Sequence, residues 1–218
     1  SIVDAPAPTA SRLALAEGRK VFVTEDNTGL SEQIAEELTR QGFSTVRISL
    51  DILKYKNRLP AAAGLIIVQA PGSDAVDTDL KNAFALARYL APSLIESADQ
   101  NGAIFATVTR LDGAFGLKGR PLNQPKQGGL AGLAKTAAIE WQNVFCRAID
   151  IAPDWSDQCQ VAKAIVTEVL SPGPIEIGLD SDQRYTVTMQ PEPCPAGHIN
   201  LVPGDVVVIS GGARGITA

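Results

Sequence analysis

Short apolar runs alternate with amphipathic stretches along most of this chain. Lys20 to Thr24 (KVFVT), Ser44 to Ile48, Gly64 to Gln69 (GLIIVQ), Ala103 to Thr109 and Val144 to Ile151 are too short for helices. Their β-branched content suits buried parallel strands. Between them, Leu30, Ile34 and Leu38 recur at helical spacing, with Thr28 or Ser31 as N-cap and Gly42 as the stop. Asp77 to Ala98 predicts a long helix kinked at Pro92. Gly128 to Asn143 predicts another, with Leu130, Leu133, Ala137 and Trp141 along one face. Val161, Ile165 and Val169 mark a further helix, and Ile175 to Leu179 and Tyr185 to Met189 read as late strands paired around Asp180-Ser181-Asp182. Strands alternating with helices predict an α/β fold with a doubly wound, Rossmann-like parallel sheet covered on both faces.

The punctuation divides the chain. Residues 1–19 read as an N-terminal linker and 20–190 as the Rossmann-like unit. The stretch 191–203 belongs to a proline-rich linker (QPEPCPAGHINLVP) that should be extended. Residues 204–218 read as the first strand and glycine turn of a second unit: Asp205 to Ser210 is a strand, and the sequence stops on GGARGITA.

Composition narrows the function classes. The 218 residues are 45% hydrophobic with a formal charge of −5, which excludes a disordered chain. Mild acidity argues against nucleic acid as a partner, because phosphate binding needs clustered Lys and Arg. No apolar run reaches a membrane span of roughly 20 residues, and SIVDAPAPTAS shows no secretory signal. Cys146, Cys159 and Cys194 stand at unrelated spacings that suit a reducing cytoplasm rather than a disulfide framework or a zinc site.

Two turns carry the candidate chemistry. VVVISGGARGITA reads strand, glycine-rich turn, helix start, which lets backbone N–H groups approach a pyrophosphate. The corresponding turn after the first strand is Thr24-Glu25-Asp26-Asn27-Thr28-Gly29-Leu30. Its single glycine and two carboxylates argue against a dinucleotide there. Glu25 and Asp26 are expected to be a solvated acidic loop. The acidic pair is also similar to the metal-holding start of a response-regulator receiver domain, but that family needs an Asp where Gln69 and Ala70 end the third strand.

The segment from Thr107 to Ile151, above all GGLAGLAKTAAIEW, resembles the structural subdomain of a ketoreductase from multidomain polyketide or polyunsaturated fatty-acid synthases, in the short-chain dehydrogenase/reductase superfamily. The resemblance covers nearly the whole chain and implies a degenerate, truncated reductase fold. It implies a parent enzyme that reduces a β-ketoacyl thioester on acyl carrier protein with NADPH. This chain would be the non-catalytic half, and its partners would be the catalytic subdomain and the carrier protein. Gly211 and Gly215 have the family's fingerprint spacing, with Thr217 in place of the third glycine. By resemblance, Gly211, Gly212, Arg214 and Gly215 belong to the cofactor turn, and Arg214 is the 2′-phosphate contact that favours NADPH.

The family's serine strand ends here at Thr107 and Thr109. Its Y-x-x-x-K helix carries Ala131 and Lys135, so the tyrosine is missing and Lys135 is expected to be a solvated helix lysine. No catalytic residue is assigned in this chain. The competing readings are a self-contained NADPH-binding reductase that uses the terminal turn, and the receiver-like module. His198 reads as a structural or solvated linker residue, and Trp141 and Trp155 as packing anchors. Lys54, Lys56 and Arg58 read as a solvated basic cluster, and Cys146 as inert core.

Overall fold

The computed structural model describes residues 1–8, 11–55, 59–70, 75–193, 201–206 and 208. In chain order the elements are β1 (Ile2–Asp4), β2 (Lys20–Thr24), α1 (Leu30–Arg40), β3 (Thr45–Ile48), β4 (Ala62–Val68), α2 (Val76–Gln100), β5 (Ala103–Thr109), α3 (Gly128–Glu140), β6 (Val144–Ile151), α4 (Gln158–Val169), β7 (Glu176–Leu179) and β8 (Arg184–Val187). The α/β, doubly wound architecture holds, and helix α2 runs through Pro92 as one element.

One sheet carries all eight strands in the order β1-β8-β7-β6-β5-β4-β2-β3. Strands β2 to β7 are parallel. The sheet is mixed rather than parallel throughout, because β8 returns antiparallel to β7 and pairs in turn with β1. The N-terminal segment read as linker therefore contributes an edge strand, with Ile2 opposite Val187. Three residues are too few to show a period, and the prolines at 6 and 8 disguise them.

Within the parallel part, the first strand (β2) lies between the second (β3) and the third (β4). A Rossmann half of order 3-2-1 would carry its third strand outside the second. Here the third strand returns directly beside the first, and the β3–β4 connection holds only a short 3₁₀ turn at Ile52–Lys54 instead of an α-helix.

Two helices cover each face of the sheet. Helices α1 and α4 bury Leu30, Ile34, Leu38, Val161, Ile165 and Val169 against one face. Helices α2 and α3 bury Leu86, Leu90, Leu94, Leu130 and Ala134 against the other. In α3 the buried stripe is Leu130, Ala134 and Ala137, with Ala131 beside it, while Leu133 is only half-buried. Trp141 anchors this layer with its ring centroid 5.1 Å from that of Phe105.

Two tight features fix the β6–β7–β8 end. Gly178 in β7 crosses the loop after β5 so closely that a Cβ would lie 2.2 Å from the Gly113 carbonyl oxygen. Arg147, fully buried in β6, donates to the Glu168 carboxylate at 2.5 Å and to its carbonyl oxygen at 2.7 Å. Arg184 of β8 donates to the same carboxylate at 2.6 and 3.0 Å, so one Glu ties two strands to the end of α4. Burial pulls the Arg147 guanidinium down to about 10, partly against the Glu168 charge.

The proline-rich segment is described only in part. Residues 190–193, 201–206 and 208 are exposed, and Asp205, Val206 and Val208 form no strand.

Candidate functional site

Open α/β sheets bind ligands outside the carboxyl ends of their strands, where the strand order reverses. That point here lies between β2 and β4. A crevice of about 440 Å³ opens there, lined by Glu25, Asp26, Ser49, Asp51, Lys54, Gln69, Asp79 and neighbours.

In dinucleotide folds, the N-terminus of the helix after the first strand receives the pyrophosphate. Here α1 starts behind Gly29, whose φ of 92° turns the chain into the helix. Asp26 is 1% exposed, and its Oδ1 accepts the Ser31 backbone N–H at 3.1 Å and the Ser31 hydroxyl at 2.9 Å. The Thr28 hydroxyl donates to its other oxygen. A carboxylate of the chain itself therefore holds the position that would favour an external anion. This corrects two expectations: Asp26 is not solvated, and neither Thr28 nor Ser31 is the cap acceptor. Glu25, one residue earlier, is exposed as expected.

Strand β4 ends at Val68, and Gln69 follows it. Gln69 is 4% exposed, and its amide Nε2 donates to Asp79 at 3.1 Å. An amide cannot accept a phosphoryl group, so the receiver-like reading has no acceptor at this position.

Family resemblance places the catalytic hydroxyl at the end of β5. The Thr107 hydroxyl donates to the Leu130 carbonyl at 3.1 Å, and the Thr109 hydroxyl to the Asp150 carboxylate at 2.7 Å. Both groups hold the fold together inside the core. Ala131, at the tyrosine position of α3, is 7% exposed and packs in the apolar layer. Lys135, one turn on, pairs with Glu176 at 3.0 Å. It is half exposed, so the expected solvated lysine is instead anchored to β7.

The loop after β5 is organised by two buried carboxylates that the sequence did not single out. Asp150 accepts the N–H groups of Leu111, Asp112 and Phe115, and Asp112 accepts those of Ala114, Gly116 and Lys118. Phe115 is held at a φ of 58°, which is unusual for a bulky residue. Each of these acids therefore accepts three backbone N–H groups and serves to shape the loop.

Tyrosine and lysine do meet elsewhere. Lys118 Nζ lies 4.4 Å from the centre of the Tyr185 ring, and both groups contact Asp180. Desolvation and the Asp180 charge push the Tyr185 phenol up. A reductase tyrosine needs the opposite shift.

The remaining candidates separate cleanly. Trp141 and Trp155 are partly buried core anchors. Cys146 is buried, and burial pushes its thiol up to about 12. Lys54 lines the acidic crevice rather than a basic patch. Gly211, Gly212, Arg214, Gly215, Cys194, His198, Lys56 and Arg58 lie outside the described residues.

No protein-family model matches the chain. Its sequence is 28% identical to one of the subunits of the polyunsaturated fatty acid synthase of Thraustochytrium sp., over 99% of this chain. The chain is a relative of that synthase polypeptide. It spans only 9% of the polypeptide's length. Among solved structures, it superposes on a multidomain adenylation, ketoreductase and pseudo-Asub structure of a keto acid-selecting NRPS module. That match has a TM-score of 0.58 and 12% identity, and covers 85% of this chain and 18% of the other. A short-chain dehydrogenase/reductase family protein matches with a TM-score of 0.52 and 14% identity, over 71% of this chain and 91% of that one. The fold of this synthase relative is thus that of the short-chain reductases, as the GGLAGLAKTAAIEW segment suggested. No helix among the described residues is long and apolar enough to cross a membrane.

Proposed function

We propose that this chain is the structural, non-catalytic half of an NADPH-dependent β-ketoacyl-[acyl-carrier-protein] reductase in a polyunsaturated fatty-acid or polyketide synthase. The observation that carries the reading is Asp26: its buried carboxylate takes the α1 N-terminus that a cofactor phosphate would need. The missing tyrosine at Ala131 and the internally bonded hydroxyls of Thr107 and Thr109 support it.

In this reading, residues 20–190 support a catalytic half, and 204–218 begin it. The reductase tyrosine, serine and lysine, the NADPH site and the contact with acyl carrier protein belong to that half. Gly211, Gly212, Arg214 and Gly215 would open its cofactor turn.

The α2–α3 side is the natural docking face. Phe84 and Tyr89 of α2 and Ile139 of α3 are 57%, 42% and 82% exposed. A groove of about 320 Å³ between these helices is lined by Phe84, Ala91, Leu133 and Trp141. On its outward side α3 exposes Ile139 among Gly132, Lys135, Thr136 and Glu140, so the apolar exposure centres on Ile139 and the adjoining groove. Val206 and Val208, about 90% exposed, suit a strand that pairs within the second half.

The test is reconstitution. NADPH oxidation with a β-ketoacyl thioester is measured for this chain alone and for the chain extended through the residues that follow it in its parent. Activity only in the extended protein is expected, and turnover by residues 1–218 alone contradicts the proposal.

A further inference from the structure

A further cavity, of about 340 Å³, opens at the carboxyl ends of β5 and β6. Arg110 behind β5, Gln127 ahead of α3 and Trp155 behind β6 line it, and Asn123 and Ser156 stand at its exposed rim. Small-ligand pockets span about 300–1,000 Å³, so the cavity is large enough for a compact molecule. Its described lining holds one cation, Arg110, and no carboxylate.

Arg110 is half-buried, and its charge is not matched by a neighbour. Its Nη1 donates to the Trp155 carbonyl at 3.4 Å, a long contact. Its Nε and Nη2 have no acceptor among the described residues, and neither is sealed from solvent. The fully buried guanidinium of Arg147 is paired with Glu168, whereas no carboxylate among the described residues lies within ion-pairing distance of Arg110. Burial pulls the Arg110 guanidinium below its ordinary value, and the more distant Asp26 charge offsets this only in part.

The position of this charge is fixed independently. Gln127, 3% exposed, accepts the Arg110 backbone N–H on Oε1 at 3.4 Å, and its Nε2 donates to the Gln124 side chain at 2.7 Å. These bonds tie the backbone that carries the guanidinium to the start of α3. A planar guanidinium fork matches a carboxylate with two parallel N–H···O bonds. The Asp26 charge acts against a second negative charge on a ligand, which favours a monoanion over a dianion. Trp155 adds an apolar wall.

We propose that this cavity binds a small free carboxylate with an apolar body, paired with Arg110 and packed on Trp155. The supporting half would then carry a ligand site of its own.

The test is a calorimetric titration of the 218-residue chain at low salt and pH 8. The probes are benzoate, its neutral counterpart benzamide, inorganic phosphate and acetyl-glutamate amide. Saturable binding of benzoate is expected, about tenfold or more tighter than benzamide or phosphate. Arg110→Met should weaken benzoate by about tenfold or more while leaving the thermal midpoint within a few degrees. Arg110→Lys keeps the charge, loses the fork and should also weaken binding, which preserves the test if the methionine variant does not fold. Benzoate should raise the thermal midpoint of the parent chain and not that of Arg110→Met. Lys20→Gln, at the amino end of β2, should change nothing. Absence of saturable benzoate binding overturns the proposal, as does benzamide or phosphate binding equally well. Unchanged affinity in the Arg110 variants, or equal weakening by Lys20→Gln, also overturns it. Tighter binding of the blocked glutamate overturns the free ligand in favour of an acidic side chain of another protein chain. None of these outcomes bears on the reductase reading, which is read by NADPH oxidation.

Discussion

At the residue scale, Asp26 decides the most. It caps α1 with one carboxylate against two hydrogen-bonding groups of Ser31 and the Thr28 hydroxyl. Asp26→Ala should cost about 1–2 kcal/mol in urea unfolding, the range for loss of a helix cap. It should not create nucleotide binding, since Glu25, Asp51 and Asp79 remain. The carboxylates of this turn were legible in the sequence, but the burial of Asp26 was not. A carboxylate before a single glycine looks the same whether it faces water or folds back on the helix. The cysteines give a second prediction. With its thiol raised to about 12 by burial, Cys146 should resist iodoacetamide at pH 8, while exposed Cys159 reacts. Peptide mapping after labelling checks this, and Cys146 should label only on unfolding.

At the element scale, the β6–β7–β8 end depends on tight contacts that no sequence period reveals. Gly178→Ala would drive a methyl group into the Gly113 carbonyl, and should destabilise by about 1–3 kcal/mol or more through overpacking. Glu168→Gln should cost more than a surface change, because it leaves Arg147 buried with an uncompensated charge, about 3–5 kcal/mol for such a loss.

The β7–β8 turn adds a pH dependence. Burial would raise the Asp180 carboxyl, but the N–H groups of Asp182 and Gln183 and the Lys118 ammonium outweigh it and hold the carboxyl below its usual range. A depressed carboxyl contributes stability above its unfolded pKa of about 3.9 and loses it as pH falls through the folded value. Thermal midpoints from pH 7 to 3 should therefore drop less steeply at the acid end in Asp180→Asn than in the parent chain. The strands and helices themselves were legible, because buried parallel strands and amphipathic helices have distinct periods. The β1 edge strand was not, because three residues next to prolines have no period.

At the scale of the whole molecule, the sheet order joins segments that lie far apart in the chain. The alternation of strands and helices predicted a doubly wound sheet, and the reductase-like segment around α3 pointed to the fold that the superpositions show. The inward return of β4 was hidden, since strand order depends on contacts between segments far apart in sequence. What remains is a reductase-type fold with the Asp26 carboxylate at the start of α1, an alanine where the resemblance expects a tyrosine, and Phe84 and Ile139 exposed on the α2–α3 side. Docking on that face predicts that a charge there, as in Ile139→Glu, leaves the thermal midpoint of this chain within a few degrees but lowers reductase activity of the extended protein. The sharpest test of a non-catalytic role is a calorimetric titration of residues 1–218 with NADPH. A supporting half should give no saturable heat, while a micromolar dissociation constant would contradict that role.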